Sequence, residues 1–366
     1  MFVSGGEQFS ISALARVRKG TLLNGGLLRR LLECPQVSDI ARMLRSTYYG
    51  NYLPADAETF HRDKFEFLLM GVLNSEVQSF FSSAGITRHA FLKLWLERQD
   101  IQLIKNRIWK IYAKKDADIE EETTEESFKD SSSLSFTLVD EQKLLSSNRI
   151  EEVIYSIKNE KLVIYIEDAM KRSVGGTSPA LMIGFALDAF HNNRVFDAAK
   201  KFSGEEKERL LSLTGMYMDV ANITSIYRGK KYFYMSDEVT LSLLYSRYHV
   251  DFEMLRTIAS LPPERMWEPL AGTRYASLLP VEGGSETSDP AGITRRMRNI
   301  QRNGALRVFQ SGCAGIHFVL AYLILRELEI LDISAIIEIV RYNYDRKKAE
   351  KLLAYPIATE VESTCP

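Results

Sequence analysis

The chain has 366 residues, of which 45% are hydrophobic and 26% charged, and this composition predicts a folded protein with a sizeable core rather than a disordered chain. Its 47 Lys and Arg residues balance 48 Asp and Glu residues, so no global positive field exists to hold nucleic acid or an anionic membrane. The three cysteines, Cys34, Cys313 and Cys365, are far apart and suggest neither a zinc site nor a disulfide framework.

The N-terminal residues Met1–Arg18 lack the continuous apolar stretch of a signal peptide. The most apolar run, Phe318–Leu325, is followed directly by Arg326 and Glu327 and is well short of the ~20 apolar residues that a membrane span needs. We therefore expect a soluble protein that does not cross a bilayer.

Long stretches without proline, residues 57–178 and 291–355, and the scarcity of strand-like alternation predict an all-α fold. An acidic, Ser-rich segment over residues 115–147 interrupts this pattern, and we interpret it as a solvated linker or long loop, with a regulatory tail as the alternative. Prolines and glycines predict a second break at 261–290. The resulting division is a helical unit at 1–114, the linker at 115–147, a second unit at 148–232 and a third at 233–366.

One helical pattern recurs three times, in which an acid is followed four residues later by isoleucine. The acids are spaced 119 and 110 residues apart, so three units of about a hundred residues each fit ordinary domain sizes. The three copies are Asp100-Ile-Gln-Leu103-Ile104, Asp219-Val-Ala-Asn222-Ile223 and Glu329-Ile-Leu-Asp332-Ile333.

A helical wheel of the third copy separates two kinds of polar residue. One side is predicted to form a polar stripe of Arg326, Glu327, Ser334, Glu338 and Arg341. Glu329 and Asp332 project instead among apolar residues, where unpaired carboxylates are costly. Two interpretations are open: the acids line a cavity or a junction between units, or they form ordinary internal salt bridges or border a solvated gap.

Motifs for catalysis and cofactor binding are absent from the sequence. It contains no GxxxxGK[ST] phosphate loop, no GxSxG nucleophile elbow and no HExxH metal motif. Paired carboxylates such as Glu329 and Asp332, together with His317, leave open an enzyme with a helical pocket. We expect a non-enzyme with no cofactor, no metal and no direct small-molecule substrate.

Basic residues cluster at Arg16–Lys19, at Arg228–Lys231 and at Arg295–Arg302. Because the net charge is balanced and no nucleic-acid-reading motif is present, we interpret them as solvated faces and expect no nucleic-acid partner.

Several segments together resemble the central-stalk subunit of V-type and archaeal-type ATPases, which is called C in prokaryotes and d in eukaryotes. The resemblance extends along nearly the whole chain in the same order, and the Cys365-Pro366 terminus is similar to some bacterial members. The matching segments are Ala15–Leu23, Leu187–Phe190, Asp219–Arg228 and Leu320–Glu329. The chain departs from the family at Asp332, where a basic residue or Asn is usual.

This resemblance implies a fold of three similar helical units arranged as a funnel, with pseudo-threefold symmetry, around a central cavity. It also implies a non-catalytic rotor subunit that lies peripherally at the cytoplasmic face of the membrane. Its partners would be the D-type and F-type axle subunits and the membrane proteolipid ring. The candidate residues for these interfaces or for the cavity are Arg16, Arg18, Asp100, Asp219, Asn222, Arg228, Glu329 and Asp332. The rival hypothesis is a generic helical-repeat scaffold that binds another protein.

Overall fold

The computed structural model describes residues 5–53, 62–116, 137–171, 178–279, 290–346 and 352–355. Within these ranges the regular structure consists of α-helices and short 3-10 helices, together with one isolated antiparallel bridge between Val139 and Ile157. The all-α prediction is therefore confirmed for these ranges. None of the described helices is long and apolar enough to cross a bilayer. The funnel of three similar units stays a prediction.

The chain forms two compact units, one built from residues 1–85 and 270–366, and the other from residues 86–269. The first, which we call the terminal unit, thus combines both ends of the chain. The second, the middle unit, is continuous in sequence. The boundaries proposed from the sequence after residues 114, 147 and 232 stay a prediction.

The terminal unit is organised around its last helix, α14. This helix is apolar on nearly all sides, which is typical of a helix enclosed by others, and its residues from His317 to Leu325 are all buried. It packs against the other α-helices described in the unit. Among the described residues, the α-helices of the terminal unit are α1 (Gly5–Lys19), α2 (Gly25–Glu33), α3 (Val37–Arg45), α4 (Arg62–Ser79), α13 (Pro290–Val308) and α14 (His317–Arg341).

The middle unit has α9 at its centre, packed against α5, α8 and α10. Pro179 begins α9 at a position where its missing N–H costs nothing. Acidic residues in the first turn of α10 and lysines in its last turn favour that helix through its macrodipole. In the part of this unit that the structure describes, the α-helices are α5 (Ile86–Asp116), α6 (Glu141–Ser146), α7 (Ile150–Tyr155), α8 (Glu160–Lys171), α9 (Pro179–Ala199), α10 (Gly204–Phe233), α11 (Asp237–Ser242) and α12 (Phe252–Ser260).

The C-terminal part of the segment interpreted as a solvated linker is folded. Leu138, Val139 and Leu144 are buried in the core of the middle unit, and the Asp140 side chain caps the N-terminus of α6. At the other end of the segment, Lys115 and Asp116 lie in α5. The expectation of a solvated segment is therefore wrong for residues 137–147, because three apolar side chains are enough to anchor it. The residues between 116 and 137 lie outside the described ranges.

Candidate functional site

The three copies of the recurring pattern lie on three long helices, α5, α10 and α14. All of their polar candidates are buried: Asp100 is 3% exposed, and Asp219, Asn222, Glu329 and Asp332 are 0% exposed. The helical-wheel prediction that Glu329 and Asp332 lie on the apolar side of the helix is confirmed by this burial. The hydrogen-bond partners of each carboxylate indicate its role in the structure.

On α10, Asp219 binds the backbone of a loop that precedes α12. Its Oδ1 accepts the N–H of Tyr248 at 2.9 Å, and its Oδ2 accepts the N–H groups of His249 at 2.7 Å and Val250 at 3.3 Å. Asn222, one turn further along, accepts the N–H of Tyr245 at 2.7 Å. The two side chains thus hold a loop more than twenty residues away in sequence against the helix. The contact gives the loop N–H groups hydrogen-bond acceptors and gives the buried carboxylate hydrogen-bond donors.

On α5, Asp100 likewise accepts backbone N–H groups, here from the folded end of the predicted linker. Its Oδ2 accepts the N–H groups of Thr137 at 2.8 Å and Leu138 at 2.6 Å. On α14, Asp332 accepts the N–H groups of Ala354 at 2.9 Å and Tyr355 at 2.8 Å, and its Oδ1 lies 3.9 Å from the Arg298 guanidinium. All three repeat helices therefore use a buried Asp to bind a backbone segment that follows later in the chain.

Glu329 differs from these three, because its partners come from the N-terminal part of the chain and from its own helix. It accepts the N–H of Leu23 at 2.5 Å, the hydroxyl of Tyr49 at 2.7 Å and a guanidinium N–H of Arg326 at 2.5 Å. Arg326 is itself 0% exposed. Its assignment to a polar stripe apart from the apolar residues is wrong, because a helical wheel takes no account of the non-local residues that enclose it.

Arg326 lies at the centre of a buried ionic cluster in the terminal unit. A second fully buried carboxylate, Glu76 on α4, lies 3.9 Å from it and accepts hydrogen bonds from the Tyr322 hydroxyl at 2.6 Å and from Arg18 at 2.9 Å. Arg326 also donates to Thr21 at 2.6 Å. The cluster ties α1, α4 and α14 together. Glu76 could not be predicted from the sequence, because no spacing pattern joins it to α14.

The three candidate arginines are the most accessible of the predicted site residues. Arg16 is exposed and donates to the carbonyl oxygens of Phe309 at 3.2 Å and Ser311 at 3.1 Å. Arg18 keeps 22% of its side chain exposed while it pairs with Glu76. Arg228, on α10, is exposed. Arg16 and Arg18 lie in the terminal unit with Glu329 and Asp332, and Arg228 lies in the middle unit with Asp100, Asp219 and Asn222.

Burial controls the ionisation of these groups. Desolvation raises the pKa of Asp100 to about 6 and that of Asp332 to about 6, although the backbone N–H groups that each one accepts oppose the shift. Desolvation also raises the pKa of Glu329 against the opposing charge of Arg326. In the middle unit, burial and the charges of Arg98 and Arg194 lower the pKa of His191 to about 3.

The arrangement around the acids is suited to structure rather than to acid–base chemistry. Glu329 binds the N-terminal part of the chain, whereas Asp332 binds residues 354 and 355, so the two carboxylates serve different partners. In the described ranges, no group of three His, Cys, Asp or Glu side chains is arranged to hold a metal ion.

Comparison with known proteins gives one consistent result. The sequence profile of the family described as ATP synthase (C/AC39) subunit matches residues 11–352. The chain is similar to the C subunit of the A-type ATP synthase of Methanobrevibacter smithii, with 22% identity over 334 residues, which cover 89% of this chain and 82% of the relative. It is also similar to the corresponding C subunit of Methanosphaera stadtmanae, with 19% identity over 336 residues and the same two coverages. Since the profile spans nearly the whole chain, this protein belongs to the ATP synthase (C/AC39) subunit family of A/V-type ATPases.

Proposed function

We propose that this chain is a non-catalytic central-stalk subunit of a rotary A/V-type ATPase, and that it couples the axle subunits to the membrane rotor ring. The observation that carries the proposal is the match of the C/AC39 family profile to residues 11–352. Two relatives that are named as C subunits of A-type ATP synthases, each aligned over 89% of this chain, support it. The chain would serve as a socket that holds D-type and F-type axle subunits and rests on the proteolipid ring at the cytoplasmic face of the membrane.

The buried polar contacts fit such a mechanical role. A subunit that transmits torque must resist shear between its helices, and apolar contacts are not directional. Buried hydrogen bonds have fixed geometry and are costly to break, so they resist sliding. The bonds from Asp100, Asp219, Asp332 and Glu329 each join segments at least 22 residues apart in sequence. They would let each unit transmit torque without its own segments sliding past one another.

The candidate interface residues divide by exposure into two roles. Arg16 and Arg228 are exposed, so these two would reach the axle or the ring directly. Arg18 and the five buried candidates would act indirectly, by fixing the helices that carry the contact surfaces. Charge reversal at Arg16 or Arg228 should then weaken assembly without unfolding the chain.

Native purification tests the proposal. An affinity tag on this chain, followed by solubilisation of membranes in mild detergent, should recover the D-type and F-type axle subunits and the proteolipid ring. A tagged Asp219→Ala variant is a useful comparison, because a distorted fold should lose partners that an intact chain retains. Recovery of unrelated proteins without ring or axle would instead favour the helical scaffold.

Loss of the chain gives a functional test that separates coupling from catalysis. Membranes from cells that lack it should lose ATP-driven ion transport, while the catalytic head that remains should still hydrolyse ATP. If deletion abolished ATP hydrolysis by the isolated head as well, the assignment to a non-catalytic coupling role would be wrong.

A further inference from the structure

Two exposed tyrosine pairs occur at equivalent places in the repeat. Residues 231–234, at the end of α10, read Lys-Tyr-Phe-Tyr, and residues 341–344, at the end of α14, read Arg-Tyr-Asn-Tyr. The pairs are 110 residues apart, which is also the spacing between Asp219 and Glu329. We call these stretches the tyrosine tips. The first copy has no such stretch, since the 119-residue spacing puts Ala113 and Lys115 at the two tyrosine positions.

The four tyrosines are unusually open to solvent. Tyr232 is 41% exposed and Tyr234 89%, while Tyr342 is 54% and Tyr344 61% exposed. Thirteen large apolar or aromatic side chains are exposed in the described residues, so four of the thirteen fall in two tripeptides. An isolated exposed aromatic needs no explanation, whereas a repeated cluster indicates a contact surface.

Both tips contain a left-handed residue, which is unusual at the first tip, where it is a tyrosine. Tyr234 has φ +48° and Asn343 has φ +50°, and in the described ranges they are the non-glycine residues with positive φ. A left-handed residue that ends a helix is usually Gly or Asn, so a tyrosine there carries backbone strain. The turns are closed by the N–H of Met235 on the carbonyl of Gly229 and by the N–H of Tyr344 on that of Ile339, each at 3.0 Å. Helix termination alone does not require the exposed rings, since Gly would end α10 with less strain.

Cations accompany both pairs. Lys231 lies over the ring of Tyr227 at 5.3 Å, and Arg341 lies over the ring of Tyr342 at 5.9 Å. Arg228 is a further exposed cation one turn before the first tip. Tyrosine combines a large apolar ring with a hydroxyl that bonds to polar acceptors, and it is enriched at interface hot spots. Hydroxyls beside cations are suited to a surface rich in carboxylates and carbonyl oxygens.

We propose that each tyrosine tip docks on one copy of an identical, acidic loop in the membrane rotor ring. The inference rests on the proposed function, which supplies the ring as the partner. A surface motif that is duplicated at the repeat spacing fits a partner that presents the same feature more than once, and a ring of identical subunits does so.

Binding of the full chain to the detergent-solubilised proteolipid ring, immobilised on a biosensor, tests the proposal. One variant combines Tyr232→Gln with Tyr234→Asn, a second combines Tyr342→Gln with Tyr344→Gln, and a third carries all four changes. We expect each pair to weaken ring binding at least tenfold and the four changes together at least a hundredfold. The matched control is Tyr155→Gln, which removes a tyrosine that is 78% exposed elsewhere in the middle unit, and it should bind like the wild type. Circular dichroism melting curves establish that all variants are folded.

The contrary outcomes separate the two proposals. If the wild-type chain binds the ring and the fourfold variant binds within twofold of it, the tips do not dock there. If the fourfold variant keeps the ring but loses the axle subunits, the tips belong to the axle contact and the inference is wrong. Tip-dependent binding to ring-free vesicles with 30% phosphatidylglycerol would assign the tips to lipid and overturn it too. Failure of the wild-type chain to bind the ring would instead overturn the proposed function itself.

Discussion

At the scale of single residues, the recurring polar contact of this protein is a buried carboxylate that accepts hydrogen bonds from backbone N–H groups. Each amide donor loses its water on folding and needs an acceptor. A mid-helix Asp supplies two oxygens with several lone pairs, so one side chain can satisfy a whole turn of a loop. Asp219 does this for three successive N–H groups. Removal of such an acceptor therefore costs more than one hydrogen bond.

We predict that Asp219→Ala lowers the free energy of unfolding of the middle unit by about 3 kcal/mol, because three N–H donors lose a shared acceptor. Asp219→Asn retains one acceptor oxygen and should cost less. Urea denaturation followed by circular dichroism measures both. The control is Asp197→Ala, which removes a carboxylate that is 61% exposed and paired with its neighbour Lys200, and should leave stability nearly unchanged. Equal stability of Asp219→Ala and Asp197→Ala would contradict the prediction.

The pH dependence of stability tests whether burial or hydrogen bonding has the larger effect on the pKa of Asp100. Desolvation raises its pKa from 3.8 to about 6 in the folded chain, so the native state holds a proton that the unfolded state releases. The stability contributed by this group is therefore complete below pH 4 and is lost as the pH rises through 6.

Asp100→Asn removes this titration. The difference in unfolding free energy, wild type minus variant, should shrink by up to about 3 kcal/mol between pH 4 and pH 7 and then stay level. Urea denaturation at four pH values measures it. A difference that grows with pH would mean that the backbone donors of Thr137 and Leu138 outweigh desolvation.

At the scale of elements, what the sequence could and could not predict depends on where each partner lies. The helices and the apolar setting of Glu329 and Asp332 follow from local periodicity. The partners of Asp100, Asp219 and Asp332 do not, because they include backbone N–H groups, which every residue type except proline carries. Arg326 was misplaced for a related reason, since its surroundings come from α1, α4 and the segment around Tyr49. The folded end of the predicted linker depends in the same way on a distant residue, Asp100 on α5.

The buried ionic cluster should behave as a unit that joins α14 to its neighbours. Arg326→Met removes the cation between two buried carboxylates and should destabilise the terminal unit by about 3–5 kcal/mol. Adding Glu329→Gln should cost much less in the Arg326→Met background than in the wild type, because no buried charge at that position then remains unpaired. Urea denaturation of the two single variants and the double variant gives the coupling energy.

An exposed ion pair with the same sequence spacing is the control for this cycle. Arg265 and Glu268 are also three residues apart, but both are solvent-exposed. Their double-variant cycle should show no measurable coupling. If the Arg326–Glu329 cycle also showed no measurable coupling energy, the cluster would not be a cooperative structural unit.

At the scale of the whole molecule, the two units differ in how the chain builds them. Residues 86–269 contain all of the middle unit, whereas the terminal unit needs residues 1–85 together with residues 270–366. The helices α1 to α4 all pack against α14, so each of them buries part of its apolar face on that helix.

We therefore predict that an isolated fragment of residues 86–269 folds into a helical domain with a cooperative urea transition. A fragment of residues 1–85 should show little helix and no cooperative transition, because α14 supplies its buried partner. Circular dichroism and urea titration measure both. A cooperative transition in the 1–85 fragment would show that α1 to α4 have a core of their own.

The same arrangement sets an order of events during synthesis. The ribosome makes α1 to α4 before α14, with 231 residues between the last residue of the 1–85 segment and the first residue of α14, at 317. At about 5–20 residues per second, the N-terminal helices wait roughly 12–46 s for their central helix. The middle unit is complete before that time. The apolar faces of α1 to α4 thus stay without their central helix during this interval, and the terminal unit can complete its core only after α14 has emerged.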